Sequence, residues 1–395
     1  MTEIRDPVHD YIKLDKLALD LINTPEMQRL RWIRQLGLAT LVYPGANHTR
    51  FEHSLGVYHL AGVLADHLRI DEEDRIRIQA AGLLHDIGHG PLSHATEAAL
   101  APCLRQEHEC ITGLLKKGGL RETLDEHGLK PQEIQSLIKG ERLGGLISGE
   151  IDADRMDYLI RDAHYTGVAY GVIDQPRLIE KMRLHNQELV VESGGVQAAT
   201  SLLISRLLMQ PAVYFHHVCR ISECMVAAGI RRMIEDGWKA EEIKVMDDMQ
   251  LFSAMTSSGG YACEMAERIK SRRLFKRAVY VGLDCLEPAS RKEISELRLA
   301  REVAEESGAD PDYVLIDNPS LPDTAEGSFP ALIDGDVRPL RSVSPLVAIL
   351  EMAQRATWRF GIYSRKEDRE RVSRGAGRVL NLKKSAAQHT FADMD

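Results

Sequence analysis

From about residue 15 to residue 236 the apolar residues recur at three- and four-residue intervals, and this constrains the fold more than any other feature of the chain. A chain of half-buried strands would alternate apolar and polar residues; a helix that buries one face shows the three-and-four stripe instead. The clearest stripe runs over 54–68 with Leu55, Val57, Leu60, Ala61, Leu64 and Leu68. The same spacing predicts helices over 75–86, 107–117, 131–139, 151–163, 197–218, 222–236, 240–255 and 260–271. Thr24-Pro25-Glu26 reads as a helix start, with Thr as the cap and Pro at the first helical position. Asp6–Asp10 reads as a turn before a short strand at 11–14, and 183–191 as a β-hairpin. The expected fold class is mainly α.

The pattern changes after residue 275. Strands are expected over 278–283, 313–316, 331–333 and 358–363, and helices over 291–307 and 346–355. That order, β-α-β-β-α-β, fits a split βαβ unit. The chain therefore divides into a helical domain at 1–275, a smaller α+β region at 276–383 and a disordered tail at 384–395.

Composition excludes several classes of protein. The 395 residues suffice for a large core. Lys+Arg 50 against Asp+Glu 59 leaves a net charge of −9, which does not suit a bulk nucleic-acid binder but permits a local basic pocket. The 6 cysteines include no C-x-x-C pair and read as reduced thiols. No apolar run reaches the roughly 20 residues of a membrane span, and Met1 leads directly into polar sequence, so a cytoplasmic protein is expected.

The chemistry concentrates around His85-Asp86, which ends the apolar run Ala80-Ala81-Gly82-Leu83-Leu84. A carboxylate there is costly unless it has a partner. A lone His or a bare His-Asp pair is weak evidence of a site, because most such residues are surface groups. Here Ile87-Gly88-His89-Gly90-Pro91-Leu92-Ser93-His94 follows, a rigid turn that projects further imidazoles and suits acid–base work. With His53 and the acidic cluster Asp152-Ala153-Asp154-Arg155-Met156-Asp157, the chain offers a mixed N/O set suited to Mn, Fe, Mg or Zn. On a helix Asp154, Tyr158, Arg161 and Asp162 share a face that would present a carboxylate, a phenol and a guanidinium to one ligand; a solvated face of ion pairs is the alternative. Arg50 precedes His53 by one turn, where a guanidinium can neutralise phosphate.

Many ordered segments carry a resemblance. Among them are Asp6-Pro7-Val8-His9, Gln28-Arg29-Leu30-Arg31, Gln35-Leu36-Gly37, Tyr43-Pro44-Gly45-Ala46, Thr49–Val57, Leu84–His94, Asp152–Asp162 and Tyr214–Val218. Over roughly residues 3–285 the chain resembles the HD-domain dNTP triphosphohydrolases, the group that holds the vertebrate SAM-and-HD enzyme and its shorter microbial relatives. The resemblance implies an HD-domain helical core with a smaller α+β C-terminal appendage. It implies metal ligands His53, His85, Asp86 and Asp154 for a divalent transition metal (Mn, Fe, Zn or Ni), with a second Mg²⁺ on the phosphates. The catalytic group it implies is His89, His94, Glu97, His108 and Glu109. Phosphate contacts fall on Arg50, Arg155, Tyr158 and Arg206. The deoxyribose pocket falls on Gln35, Leu36, Tyr158, Asp162 and Tyr214.

The implied reaction splits a dNTP into deoxynucleoside and triphosphate, in a homo-oligomer that is a dimer or a tetramer. Glu97 stands where relatives often have Asp, and Arg155 where Lys is common. An allosteric nucleotide is a further implied partner, but Asn23 replaces a guanine-reading Asp, and Glu192, Gly194 and Ala198 replace basic residues of a second allosteric pocket. Two rival readings stand beside this one. The first is a phosphatase of the same superfamily acting on nucleoside monophosphates, nucleotide second messengers or another phosphate ester. The second is a nucleotide-sensing or nucleic-acid-binding scaffold.

Overall fold

The structure is a computed structural model that describes residues 2–104, 109–186, 188–286, 295–320 and 327–382. The tail at 384–395 and His108 lie outside the described residues. Helices dominate up to residue 275, and the remainder mixes strands with helices.

The helices that form the site begin and end where local chemistry requires. Helix α1 (Arg50–His67) opens with a capping box, in which Thr49 N–H donates to Glu52 Oε2 at 2.6 Å. The box puts Arg50 and His53 on the first turn. Helix α2 (Glu72–Leu84) is capped by Asp71 and stops at Leu84, so His85-Asp86 sit at its C-terminal end. The short α3 (His94–Leu100) follows the turn. Asp152 caps α4 (Ala153–Thr166), accepting from Arg155 N–H at 2.7 Å, and Gly167, left-handed at φ +74°, ends it. Helices α1, α2 and α4 pack together. Their buried faces, including Leu60, Leu64, Leu83, Leu84, Met156 and Leu159, form one core with α5 (Val196–Met209). A second core lies under α6 (His217–Glu235), α7 (Asp248–Ser258) and α8 (Gly260–Lys270).

The structure corrects several expectations. The strand expected at 11–14 is half of a hairpin, β1 (Thr2–Asp6) with β2 (Asp10–Leu14). The helix expected over 197–218 breaks after Met209 into a π-helical turn, Gln210–Tyr214. Pro211 has no N–H to continue the ladder, so this break was legible from the sequence. The expected hairpin at 183–191 is present as β3 (Met182–His185) and β4 (Glu188–Glu192).

The split βαβ unit does not form. β5 (Lys276–Val281) and β6 (Val314–Asp317) flank β9 (Phe360–Ser364) in an antiparallel sheet. α9 (Glu296–Ser307) and α10 (Arg369–Val379) share its core, which includes Val303, Ile316, Phe360 and Val372. The intervening hairpin, β7 (Pro330–Ile333) and β8 (Asp336–Pro339), leaves that sheet, and β7 pairs in parallel with β4 through Val191↔Ala331. Phe329, Ala331, Leu340, Val347 and Leu350 then enter the helical core. Two strands from the C-terminal third of the chain, β7 and β8, thus extend the sheet of β3 and β4.

Candidate active site

Three helix ends converge on one buried group of ligand atoms. His53, on the first turn of α1, and His85-Asp86, at the end of α2, each place one ligand atom within 4.8 Å of the others. Asp154, on the first turn of α4, brings its Oδ1 to 2.9 Å from His53 Nε2 and 3.8 Å from His85 Nε2.

Both rings are oriented for ligation. His85 Nδ1–H donates to the Gly82 carbonyl at 2.7 Å, while its Nε2 is buried and has no hydrogen-bond partner among the described residues. His53 Nδ1–H donates to Asp157 Oδ2 at 2.7 Å, which turns Nε2 toward Asp86 and Asp154. An orphaned, buried imidazole nitrogen facing two carboxylates fits a divalent cation, and the bond to the far ring nitrogen is the usual means of fixing such a ligand. Burial alone would lower the His53 pKa; its bonds to Asp154 and Asp157 reverse this and hold it at about 10. Burial also works against the Asp86 charge, but Arg50, then His85 and His89, keep it well below the ordinary carboxylate range.

Asp157 is the hub behind this centre. It is 0% exposed and accepts from His9 Nε2 (2.6 Å), His53 Nδ1, Arg161 Nε (2.8 Å) and Arg161 Nη2 (2.9 Å). Arg161 also donates to Asp6 at 2.9 and 3.2 Å. This corrects the expectation that Arg161 shares the ligand-facing side of α4. The Asp157/Arg161 stripe and the Tyr158/Asp162 stripe lie about 100° apart around the helix, and only the second lines the cleft. Gly56 makes room for the hub: a Cβ there would stand 1.8 Å from Asp157 Oδ1.

Two adjoining cavities open from the centre. One of about 210 Å³ contains His53, His85, Asp86, His89, Glu109 and Asp154. The other, of about 440 Å³, contains Leu36, Asp162, Arg206 and Tyr214. Gln35, Arg50, His94 and Tyr158 line both. Arg50 Nη1–H donates to Asp86 Oδ2 at 2.6 Å and its Nε–H to Ser93 Oγ at 2.8 Å. His89 Nδ1 lies 2.7 Å from Glu97 Oε1, and His94 Nδ1 lies 3.5 Å from Glu97 Oε2 with its side chain 74% exposed. Gln35 Oε1 is buried and has no hydrogen-bond partner among the described residues. Tyr214 donates to Asp162 Oδ2 at 2.9 Å, and His48 Nε2 lies 2.8 Å from Asp162 Oδ1. Burial raises the Tyr158 pKa to about 12 and holds that of Tyr214 well above the usual phenol value, so both phenols remain protonated. Arg155 lines neither cavity; its Nη1–H donates to the Glu150 carbonyl at 2.8 Å.

Reading the sequence missed several residues that shape this site. Arg29 clamps the turn after the His-Asp pair, donating to the carbonyls of Ile87 (2.9 Å), His89 (2.7 Å) and Met246 (3.0 Å). Buried Asp248 accepts from Arg34 N–H (3.0 Å) and Leu92 N–H (2.7 Å), holding Leu92 and Ser93 at φ +51° and +46°. Arg29 stands in the segment Gln28-Arg29-Leu30-Arg31, but contacts to distant backbone leave nothing local that assigns its role.

The family model described as the HD domain matches residues 50–162, and that described as the HD associated region matches 173–391. The chain is 37% identical to an uncharacterised protein of Methanocaldococcus jannaschii over 93% of its own length and 80% of the relative's. It is 30% identical to the deoxynucleoside triphosphate triphosphohydrolase SAMHD1 of Homo sapiens over 71% of its length, and spans about half (55%) of that protein. Among solved structures it is similar to a hypothetical protein from Aquifex aeolicus (TM-score 0.77, 30% identity, 95% of this chain and 99% of the other). It is also similar to a phosphohydrolase from Bacteroides thetaiotaomicron (TM-score 0.76, 27% identity, 93% and 100%). With the metal-type cluster sitting inside the matched HD segment, the chain belongs to the HD-domain phosphohydrolases that carry an HD-associated region.

Proposed function

We propose that this chain hydrolyses dNTPs to deoxynucleoside and inorganic triphosphate. The observation that carries the reading is the junction of the two cavities: a nucleoside-sized cavity meets the ligand cluster across Arg50, His94, Gln35 and Tyr158. The α-phosphate lies at that junction, the sugar against Tyr158, Tyr214 and Asp162, and the remaining phosphates toward Arg206 and Arg50. A divalent transition metal (Mn, Fe, Zn or Ni) held by His53, His85, Asp86 and Asp154, with Mg²⁺ on the phosphates, would supply Lewis acidity toward a phosphoryl oxygen and a water.

The side chains do the rest. Arg50 neutralises developing charge from a guanidinium already fixed by Asp86 and Ser93. His94, with Glu97 beside its Nδ1, delivers a proton from Nε2 to the departing 5′ oxygen. His89 is held neutral by burial and by Arg50, so it orients Glu97 without adding charge. Tyr214 and Tyr158 leave a 2′ hydroxyl without a partner.

Arg155 favours a second reading. Turned to Glu150, it withdraws one cation from a long phosphate chain, as a nucleoside monophosphatase would allow. Ion chromatography of products from each dNTP and dNMP with Mn²⁺ or Mg²⁺ decides between them. Stoichiometric triphosphate supports the first reading; orthophosphate alone overturns it. The same reading carries a dimer or tetramer, supported by exposed Leu346, Ile349 and Met352. A monomeric mass by light scattering, with and without nucleotide, overturns the oligomer.

No helix among the described residues is long and apolar enough to cross a membrane.

A further inference from the structure

Besides Tyr158 and Tyr214, the lining of the larger cavity includes Leu36, Phe215, Arg220 and Glu223. Phe215 is 41% exposed and lines the cavity, and the Arg220 guanidinium carbon lies 5.7 Å from its ring centre. Arg220 is held rigidly. Its Nε–H and Nη2–H donate to Asp317 on β6, and its Nη1–H donates to Glu223 Oε2 at 2.9 Å. Asp317 is itself buried and fixed by the Tyr363 hydroxyl at 2.7 Å. Among the described residues three of the five guanidinium N–H groups are thereby used, which leaves two for a ligand. Among the described residues Glu223 Oε1 makes no hydrogen bond. Burial disfavours the Glu223 charge and Arg220 supports it, so the pair is held in a partly dry setting where a matched ligand counts for more.

We propose that Arg220 and Glu223 read the nucleobase and favour guanine, an inference that rests on the deoxynucleotide reading above. A base stacked on Phe215 would turn one edge to a carboxylate acceptor beside a guanidinium donor. Guanine alone offers two adjacent N–H donors, N1 and N2, next to a carbonyl, O6. The carboxylate takes the donors and the guanidinium takes O6. Adenine and cytosine each offer the carboxylate a single amino donor where guanine offers two. Thymine offers a single N–H flanked by two carbonyls, one of which must face the carboxylate. The expected order is therefore guanine first and thymine last. One additional hydrogen bond to a charged group corresponds to roughly tenfold in specificity.

The test is kcat/KM of the purified full chain for the four dNTPs with Mn²⁺. Wild type should prefer dGTP over dTTP by at least roughly tenfold. In Glu223→Gln the side chain keeps its shape and its bond from Arg220 but offers an N–H as readily as an oxygen. The dGTP:dTTP ratio should approach one through loss on dGTP, with metal content unchanged. Arg220→Lys, which cannot fork, should do the same. A wild-type ratio near one, or an equal loss on all four nucleotides in the variants, overturns the proposal; the wild-type ratio decides even if a variant does not fold. If wild type hydrolyses no dNTP, the triphosphohydrolase reading falls, and equilibrium dialysis of dGTP and dTTP in EDTA then tests base reading alone. Selective dGTP binding sustains it, and equal or absent binding overturns it.

Discussion

Replacing Asp157 by Asn would separate the metal centre from its scaffold. In the native protein this fully buried carboxylate accepts four hydrogen bonds, two of them from Arg161. Asn is nearly isosteric but turns one acceptor oxygen into an N–H donor. That donor must face the His53 Nδ1–H, the His9 ring or the Arg161 guanidinium. Facing His53, it drives the proton to Nε2 and removes the lone pair that points at the metal. Loss of such a supporting carboxylate typically lowers metal affinity about 10–100-fold. The fold suffers separately. Breaking a buried ion pair costs about 3–5 kcal/mol, and the lower end applies because Asp6 still pairs with Arg161. Mn²⁺ binding to the stripped protein and urea unfolding measure the two effects. Asp6→Asn serves as the control: it also strips Arg161 of one carboxylate, but it leaves His53 untouched. Asp157→Asn should weaken both metal binding and stability, whereas Asp6→Asn should weaken stability alone. Equal metal affinity in the two variants would refute the claim that Asp157 orients His53.

Further perturbations probe the other parts of the site. Asp86→Ala should lose its bound metal by elemental analysis while remaining folded; wild-type occupancy would remove Asp86 from the ligand set. Tyr214→Ala should narrow the dGTP:GTP ratio of kcat/KM by about ten- to a hundredfold, and an unchanged ratio in a metal-loaded variant would leave Tyr214 a packing role only. Asp248→Ala leaves the Arg34 and Leu92 N–H groups without their acceptor, which should cost about 1–3 kcal/mol for each donor in urea unfolding and lower kcat/KM at unchanged metal content. His217 titrates at about 4 in the folded protein because of burial, then Arg277 and His216, against about 6.5 when unfolded. Between those values the unfolded chain takes up a proton that the folded chain refuses, so this residue's contribution to stability falls as pH drops through the window. His217→Gln should therefore show a smaller Tm difference between pH 7 and pH 5, and identical pH dependence in the two proteins would contradict it.

What the sequence makes legible here is what lies close along the chain. The capping residues Thr49 and Asp152, the stripe of α1 and the turn after His85-Asp86 are local patterns, and each sets the start of a helix or the aim of an imidazole from nearby residues alone. The Pro211 break was equally local, though the apolar run on either side conceals it. Which stripe of α4 faces the cleft is a different kind of fact. Asp157 and Arg161 carry charges of opposite sign one turn apart, which suits a solvated ion pair as well as a buried hub. The decision belongs to Asp6, 155 residues away, and to a glycine on α1 that admits the carboxylate. The strand β7 is equally mute, because its partner β4 lies in a different domain of the sequence pattern and parallel pairing leaves no turn signal between them. The charges of α4 nevertheless follow a general rule. A buried Arg and a buried Asp must satisfy each other or a ligand, and a half-buried Asp beside two imidazoles is drawn to them or to a cation. In α4 both outcomes occur, Asp157 with Arg161 and Asp154 with the His pair, and the same helix thereby serves as strut on one side and as ligand-bearing wall on the other.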